Sequence, residues 1–144
     1  MMVRIHRIDP TLPLPAYHTP GSVAFDLYSR IDTTVAPKAI ERIPTNIIVE
    51  TPEKYMLVVV PRSSTPKRKG LSIPQGIGVV DQDYCGPNDE ILLQFYNFTD
   101  HPVTIEKGER LGQAVFVRID KAEFSEEEID AADRGGYGST GTTV

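Results

Sequence analysis

The chain has 144 residues, 40% hydrophobic and 24% charged, with a formal net charge of −5, values expected of one ordinary globular domain. One cysteine, Cys85, excludes an intrachain disulfide framework, three scattered histidines exclude a Cys/His zinc cluster, and the acidic balance argues against a protein that coats nucleic acid. The longest apolar run, Met56 to Pro61, is too short to span a bilayer, and Met1 to Pro10 has no signal-peptide core, so a soluble cytoplasmic protein without membrane or nucleic-acid partners is expected.

Val, Ile and Thr number 38 against 19 for Ala, Leu and Met. β-branched side chains favour strands over helices. Twelve prolines and eleven glycines punctuate the chain. Many short strands with frequent turns predict an all-β barrel or sandwich. In chain order, Val3 to Ile8 alternates apolar and polar and predicts a half-buried strand. A proline-rich stretch follows (Pro10, Pro13, Pro15, Pro20). Further strands are expected over Ser22–Tyr28, Arg42–Glu50 and Tyr55–Val60, the last apolar throughout and so buried on both faces. Ser63 to Gly70 predicts one helical turn, with a serine cap, a proline in the first turn and a glycine stop. Strand signals resume over Gly76–Val80, Glu90–Tyr96, Pro102–Ile105 and Arg110–Ile119. Ser125 to Ile129 predicts a capping-box helix of one turn. After Asp133 the chain is rich in Gly, Ser and Thr and has little to bury. There is no internal repeat and no second domain.

Three segments carry candidate chemistry. In Gly76 to Gly86 apolar residues lead into Asp81 and Asp83, then Tyr84. On a strand the two carboxylates share a face, and one can bind or activate water. An acidic hairpin turn is the plainer reading of the same residues. Gly76 and Gly78 inside a strand imply close approach to the backbone. Next, Arg62, Ser63 and Ser64 precede a helix start, a place suited to an anion, although a capped surface turn with a solvated basic run is the plainer reading of the segment alone. The third is the tail from Arg134 to Gly141, whose Arg134, Tyr137, Ser139 and Thr140 can wrap a phosphorylated ligand and stack on a base. A terminus with no fixed structure is its alternative.

In this order the segments resemble the five motifs of the trimeric dUTP pyrophosphatases (dUTPases), across nearly the whole chain. Ala24-Phe25-Asp26-Leu27-Tyr28-Ser29 is similar to A-G-x-D-L. Pro61-Arg62-Ser63-Ser64 is the second motif. Gly76 to Gly86 resembles G-V-I-D-x-D-Y-x-G, the most specific of the five. Gly108 to Phe116 resembles G-E-R-I-A-Q-L-V-F, and the tail resembles R-G-x-G-G-F-G-S-T-G. The resemblance implies a distorted jelly-roll β-barrel over residues 1–133 and a Gly-rich C-terminal arm over 134–144 that is swapped between subunits of a homotrimer. It also implies hydrolysis of dUTP to dUMP and pyrophosphate, which keeps uracil out of DNA and supplies dUMP for thymidylate synthesis. By the same resemblance Asp81 activates the attacking water and Mg²⁺ bridges the phosphates. Asp26 would touch the metal through water, and Gln113 would hold neighbouring groups. Arg62, Ser63 and Ser64 would bind phosphate. Gln75, Gly78 and the hairpin would read uracil, and Tyr84 would pack under the deoxyribose. Arg134, Tyr137, Ser139 and Thr140 would close the site.

The chain departs from the family pattern at four places. Ser64 stands where glycine is usual, as in the related dCTP deaminases. Arg134 precedes its glycines by two residues fewer than usual. Pro87 to Glu90 lengthens the loop after Gly86 by about three residues, and Tyr137 replaces phenylalanine. Two other readings of the fold are a dCTP deaminase, or bifunctional deaminase, and a non-catalytic nucleotide-binding regulator. The deaminase requires a glutamate where this chain has Gln94, which cannot shuttle protons. Intact Asp81, Tyr84 and Gln113 argue against the regulator.

Overall fold

A computed structural model describes residues 1–136. Among these, eleven strands and one short helix follow in order: β1 (Ile5–Arg7), β2 (Phe25–Tyr28), β3 (Thr33–Val35), β4 (Ile40–Pro44), β5 (Ile47–Val49), β6 (Tyr55–Pro61), α1 (Thr65–Lys69), β7 (Leu71–Ser72), β8 (Gly78–Val80), β9 (Leu92–Asn97), β10 (Val103–Ile105) and β11 (Arg110–Arg118). The all-β expectation holds. The strands form a sheet of order β2-β11-β6-β8, a sheet of order β4-β9-β7, and the pairs β1-β5 and β10-β3. Every pairing is antiparallel, and most join strands far apart in sequence. The barrel is thus a set of short sheets around one core and not a continuous closed wall. Leu27, Ile43, Leu57, Phe95 and Ile105 lie at its centre, each fully buried. Full burial of such a side chain stabilises the fold by about 1.5–3 kcal/mol.

Several expectations are corrected. Arg42–Glu50 is not one strand. It breaks between β4 and β5 at Asn46, which takes φ 73. The Asn46 side chain accepts from the Asp9 backbone N–H (2.6 Å) and donates to the Asp9 carbonyl (3.0 Å), so a contact 37 residues away holds the bend. β6 is buried at Leu57–Val59 but only half-buried at both ends. The turn after Pro61 becomes α1, beginning at Thr65. Ser64 is its cap residue but makes no side-chain capping bond, and Gly70 ends it in the left-handed region at φ 67. No helix forms over Ser125–Ile129, where the Ser125 hydroxyl bonds the Glu127 side chain. Three successive glutamates repel, and one exposed turn cannot meet the cost of nucleation.

At the edge, Lys107 Nζ lies 2.5 Å from Asp9 Oδ2 and Thr11 donates to the same carboxylate. The Lys107 bond, then the Thr11 bonds, hold the Asp9 carboxyl well below the usual carboxylate range. The long loop after Gly86 is closed on itself by Asp89, whose carboxylate accepts from the Gly86 N–H at 2.7 Å. It is anchored by Glu90, a buried carboxylate gripped by both Arg30 Nε and Nη2 at 2.9 Å and by the Asn46 N–H at 2.7 Å. Such charge-assisted pairs are the strong hydrogen bonds of a protein. Among the described residues no helix is long and apolar enough to cross a membrane.

Candidate functional site

The candidate residues fall into two groups. Gln75, Gly78, Asp81 and Tyr84 share the wall of a cavity of about 350 Å³, within the range of small-molecule sites. β8 delivers them. It leaves the edge of its sheet at Val80, and Asp81 follows in a turn closed by a Tyr84 N–H to Asp81 carbonyl bond of 3.4 Å. Asp81 and Asp83 therefore do not share a strand face, which corrects the expectation. Both are exposed at the turn. Tyr84 lines the cavity with its hydroxyl donating to the Glu90 carbonyl at 3.2 Å, so the anchored loop fixes the ring.

The glycines of this segment have local reasons. Gly76 turns at φ 83. Gly78 has no room for a side chain: a Cβ there would stand 2.4 Å from Val59 Cγ2. The close approach is made by Val59, while Gly78 itself also lines the cavity.

The second group gathers around Asp26 on β2. Its side chain is 8% exposed. Arg62 Nε lies 3.1 Å from Oδ1 as an ion pair, Arg110 Nη1 donates to Oδ2 at 3.1 Å, and His18 Nε2 stands 3.0 Å from Oδ2. Gln113 lies between strands, opposite Asp26 on one side and Val60 on the other, and so projects on the same face. Arg62 follows β6, with its N–H bonded to the Leu111 carbonyl at 3.0 Å. Ser64 lines a polar hollow with Arg62, Arg68 and Arg110, and its hydroxyl is not used as a cap. Ser63 is exposed beside it.

The two groups do not meet within one chain. Val59 pairs with Gly78 and Leu57 with Val80, so the register sets Asp81 level with Met56. Arg62 lies past the other end of β6. Six residues of strand separate them by roughly 20 Å, well beyond a triphosphate. Arg134 is exposed in the segment after β11, and Tyr137, Ser139 and Thr140 lie outside the described residues.

Some residues at the site were given no binding role from sequence. Arg42 and Gln94 are paired across β4 and β9 and both line the cavity, with Arg42 Nε 3.4 Å from Gln94 Oε1. Their alternation within strands was legible, but which face met a cavity was not. Arg110 stood inside a quoted motif without a role, and His18 carried no signal. Gln94, the residue that speaks against deamination, does face this cavity.

A divalent ion finds no protein cage, since no three His, Cys, Asp or Glu cluster among the described residues. Direct coordination by Asp26 does not fit, because Arg62, Arg110 and His18 already stand against its two oxygens. The two oxygens offer about four lone-pair sites, more than these three neighbours use, which leaves room for a water on a hydrated Mg²⁺.

The dUTPase family model matches residues 11–143. The deoxyuridine 5'-triphosphate nucleotidohydrolase of Shewanella sp. (strain ANA-3) is 40% identical over 142 residues, covering 94% of this chain and 91% of that protein. The dUTPase of Streptococcus mutans superposes with a TM-score of 0.77 at 31% identity, over 83% of this chain and 98% of that one. The Staphylococcus bacteriophage 80alpha dUTPase, solved with dUPNHPP, reaches a TM-score of 0.86 over 98% of this chain and 99% of its own at 22% identity, a likeness of fold.

Proposed function

This chain belongs to the dUTPase family, and we propose that it hydrolyses dUTP to dUMP and pyrophosphate. One observation carries the reading: Asp81, Tyr84 and Gly78 share one cavity wall, in a chain whose motifs and relatives belong to that chemistry. In this reading uracil enters beside Gly78 and Gln75 and is read by the backbone of β8. Tyr84 packs under the deoxyribose and leaves no room for a 2′-hydroxyl. Asp81 holds a water in line with the α-phosphorus and takes its proton as the oxygen attacks. Pyrophosphate leaves from the other side. Positioning and charge neutralisation supply most of the rate. Arg62, Ser63 and Ser64 hold the phosphates, and Asp26 keeps Arg62 extended toward them. Mg²⁺, when bound with substrate, would neutralise phosphate charge, and Asp26 and Gln113 would hold its waters.

The separation of Asp81 from Arg62 along β6 supports a site made between copies. A copy supplying Asp81 faces another supplying Arg62, a head-to-tail contact that closes into a ring. The homotrimer is the ring we propose, with residues 134–144 as an arm over the closed site and residues 1–133 as the barrel. A protein of this activity works on the cytoplasmic nucleotide pool. Pyrophosphate release is measured with dUTP, dTTP, dCTP and UTP. Turnover of dUTP alone is expected. Ammonia release from dCTP, or no turnover of dUTP, overturns the reading.

A further inference from the structure

The last rung between β6 and β8 joins Leu57 to Val80, which leaves the Asp81 turn beyond the ladder. The Gln82 side chain supplies the next tie. Its Nε2 donates to the Tyr55 carbonyl at 2.9 Å. Its Oε1 accepts from Lys121 Nζ at 3.1 Å, just past the end of β11. An ammonium only donates, so Lys121 fixes which way the amide points and aims the NH₂ at Tyr55. Asp81 is thereby flanked by a ladder bond on one side and a side-chain anchor on the other. Gln82 is half-buried and takes no part in the cavity wall. A residue between two exposed aspartates has no packing reason to be a long amide, whereas the two bonds give it one.

We propose that Gln82 is a positioning residue for Asp81, oriented by Lys121. This rests on the reading of Asp81 as the base in dUTP hydrolysis. The experiment compares wild type with Q82L, K121M and the exchange Q82K/K121Q, which keeps a donor toward Tyr55 and an acceptor beside it. Q82L removes the donor at nearly constant volume. Its kcat for dUTP is expected to fall about tenfold or more, since small misplacements at a reacting group are costly, with KM changed less than about threefold. Amide hydrogen exchange over residues 81–86 is expected to quicken. K121M weakens the same quantities less, and the exchange variant regains most of the lost kcat. A Q82L kcat within twofold of wild type, or a loss confined to KM, overturns the proposal. If Q82L does not fold, K121M decides, because it breaks no backbone contact: a kcat and an exchange over residues 81–86 both equal to wild type in K121M overturn the proposal. If wild type releases no pyrophosphate from dUTP, the functional reading fails, and unchanged exchange over 81–86 in Q82L then overturns the anchor independently.

Discussion

Gly78→Ala should damage the enzyme through Val59. A Cβ at 78 would stand 2.4 Å from Val59 Cγ2 and 3.7 Å from the Val59 carbonyl oxygen. An ordinary carbon contact is about 3.5–4.0 Å, so the strands must part by more than 1 Å or Val59 must turn. Val59 cannot turn cheaply: it is β-branched, 4% exposed and packed in the core. Overpacking of this kind costs about 1–3 kcal/mol, which lowers Tm by roughly 2–12 °C at this chain length. β8 ends two residues later and hands over to Asp81, so the displacement reaches the base. A misplacement near 1 Å is expected to reduce kcat/KM about 10²-fold. The assay pairs dUTP hydrolysis with thermal unfolding for G78A, V59A and the double variant. V59A removes the clashing methyls, so the double variant should be more active than G78A despite its smaller core. Wild-type activity and Tm in G78A, or a double variant no better than G78A, would refute the reasoning.

Asp81→Asn should keep the fold and nucleotide binding while kcat drops about 10²–10⁴-fold, with Asp83→Asn losing less; steady-state kinetics with a melting curve checks both. Tyr84→Ala should raise UTP turnover relative to dUTP, and an unchanged ratio in competition assays rejects the sugar gate. Deleting residues 134–144 should leave Tm nearly intact and cut kcat/KM sharply, and Arg134→Ala alone tells whether its shortened spacing still reaches phosphate. The Asp9 pair carries a sign with pH: its folded carboxyl titrates below the unfolded one, so its stabilisation is present above about pH 4 and fades as pH falls toward the folded pKa. Wild type should therefore exceed Asp9→Asn in urea midpoint at pH 7, and the gap should narrow by pH 3.

Strands were legible where their patterns are local. β1 alternates, and β6 is an apolar run. The missed strands, β3 and β7, have three and two residues and exist only because β10 and β9 pair with them. The break at Asn46 was invisible for a similar reason, since its cause is Asp9. At the site, the motif segments were legible, but their partition into two groups was not. It follows from the β6–β8 register, which no local pattern encodes. Gly78 has a reason that no local pattern shows: Val59 Cγ2 fills the space a Cβ would take.

The roughly 20 Å between Asp81 and Arg62 along β6 has a consequence for heredity. If each site borrows its base from one copy and its phosphate grip from another, two inactive alleles can repair each other. Trimers assembled at random from equal amounts of Asp81→Asn and Arg62→Ala chains would carry intact pairs at about a quarter of their sites. The same sharing makes a single defective allele spoil its normal neighbours.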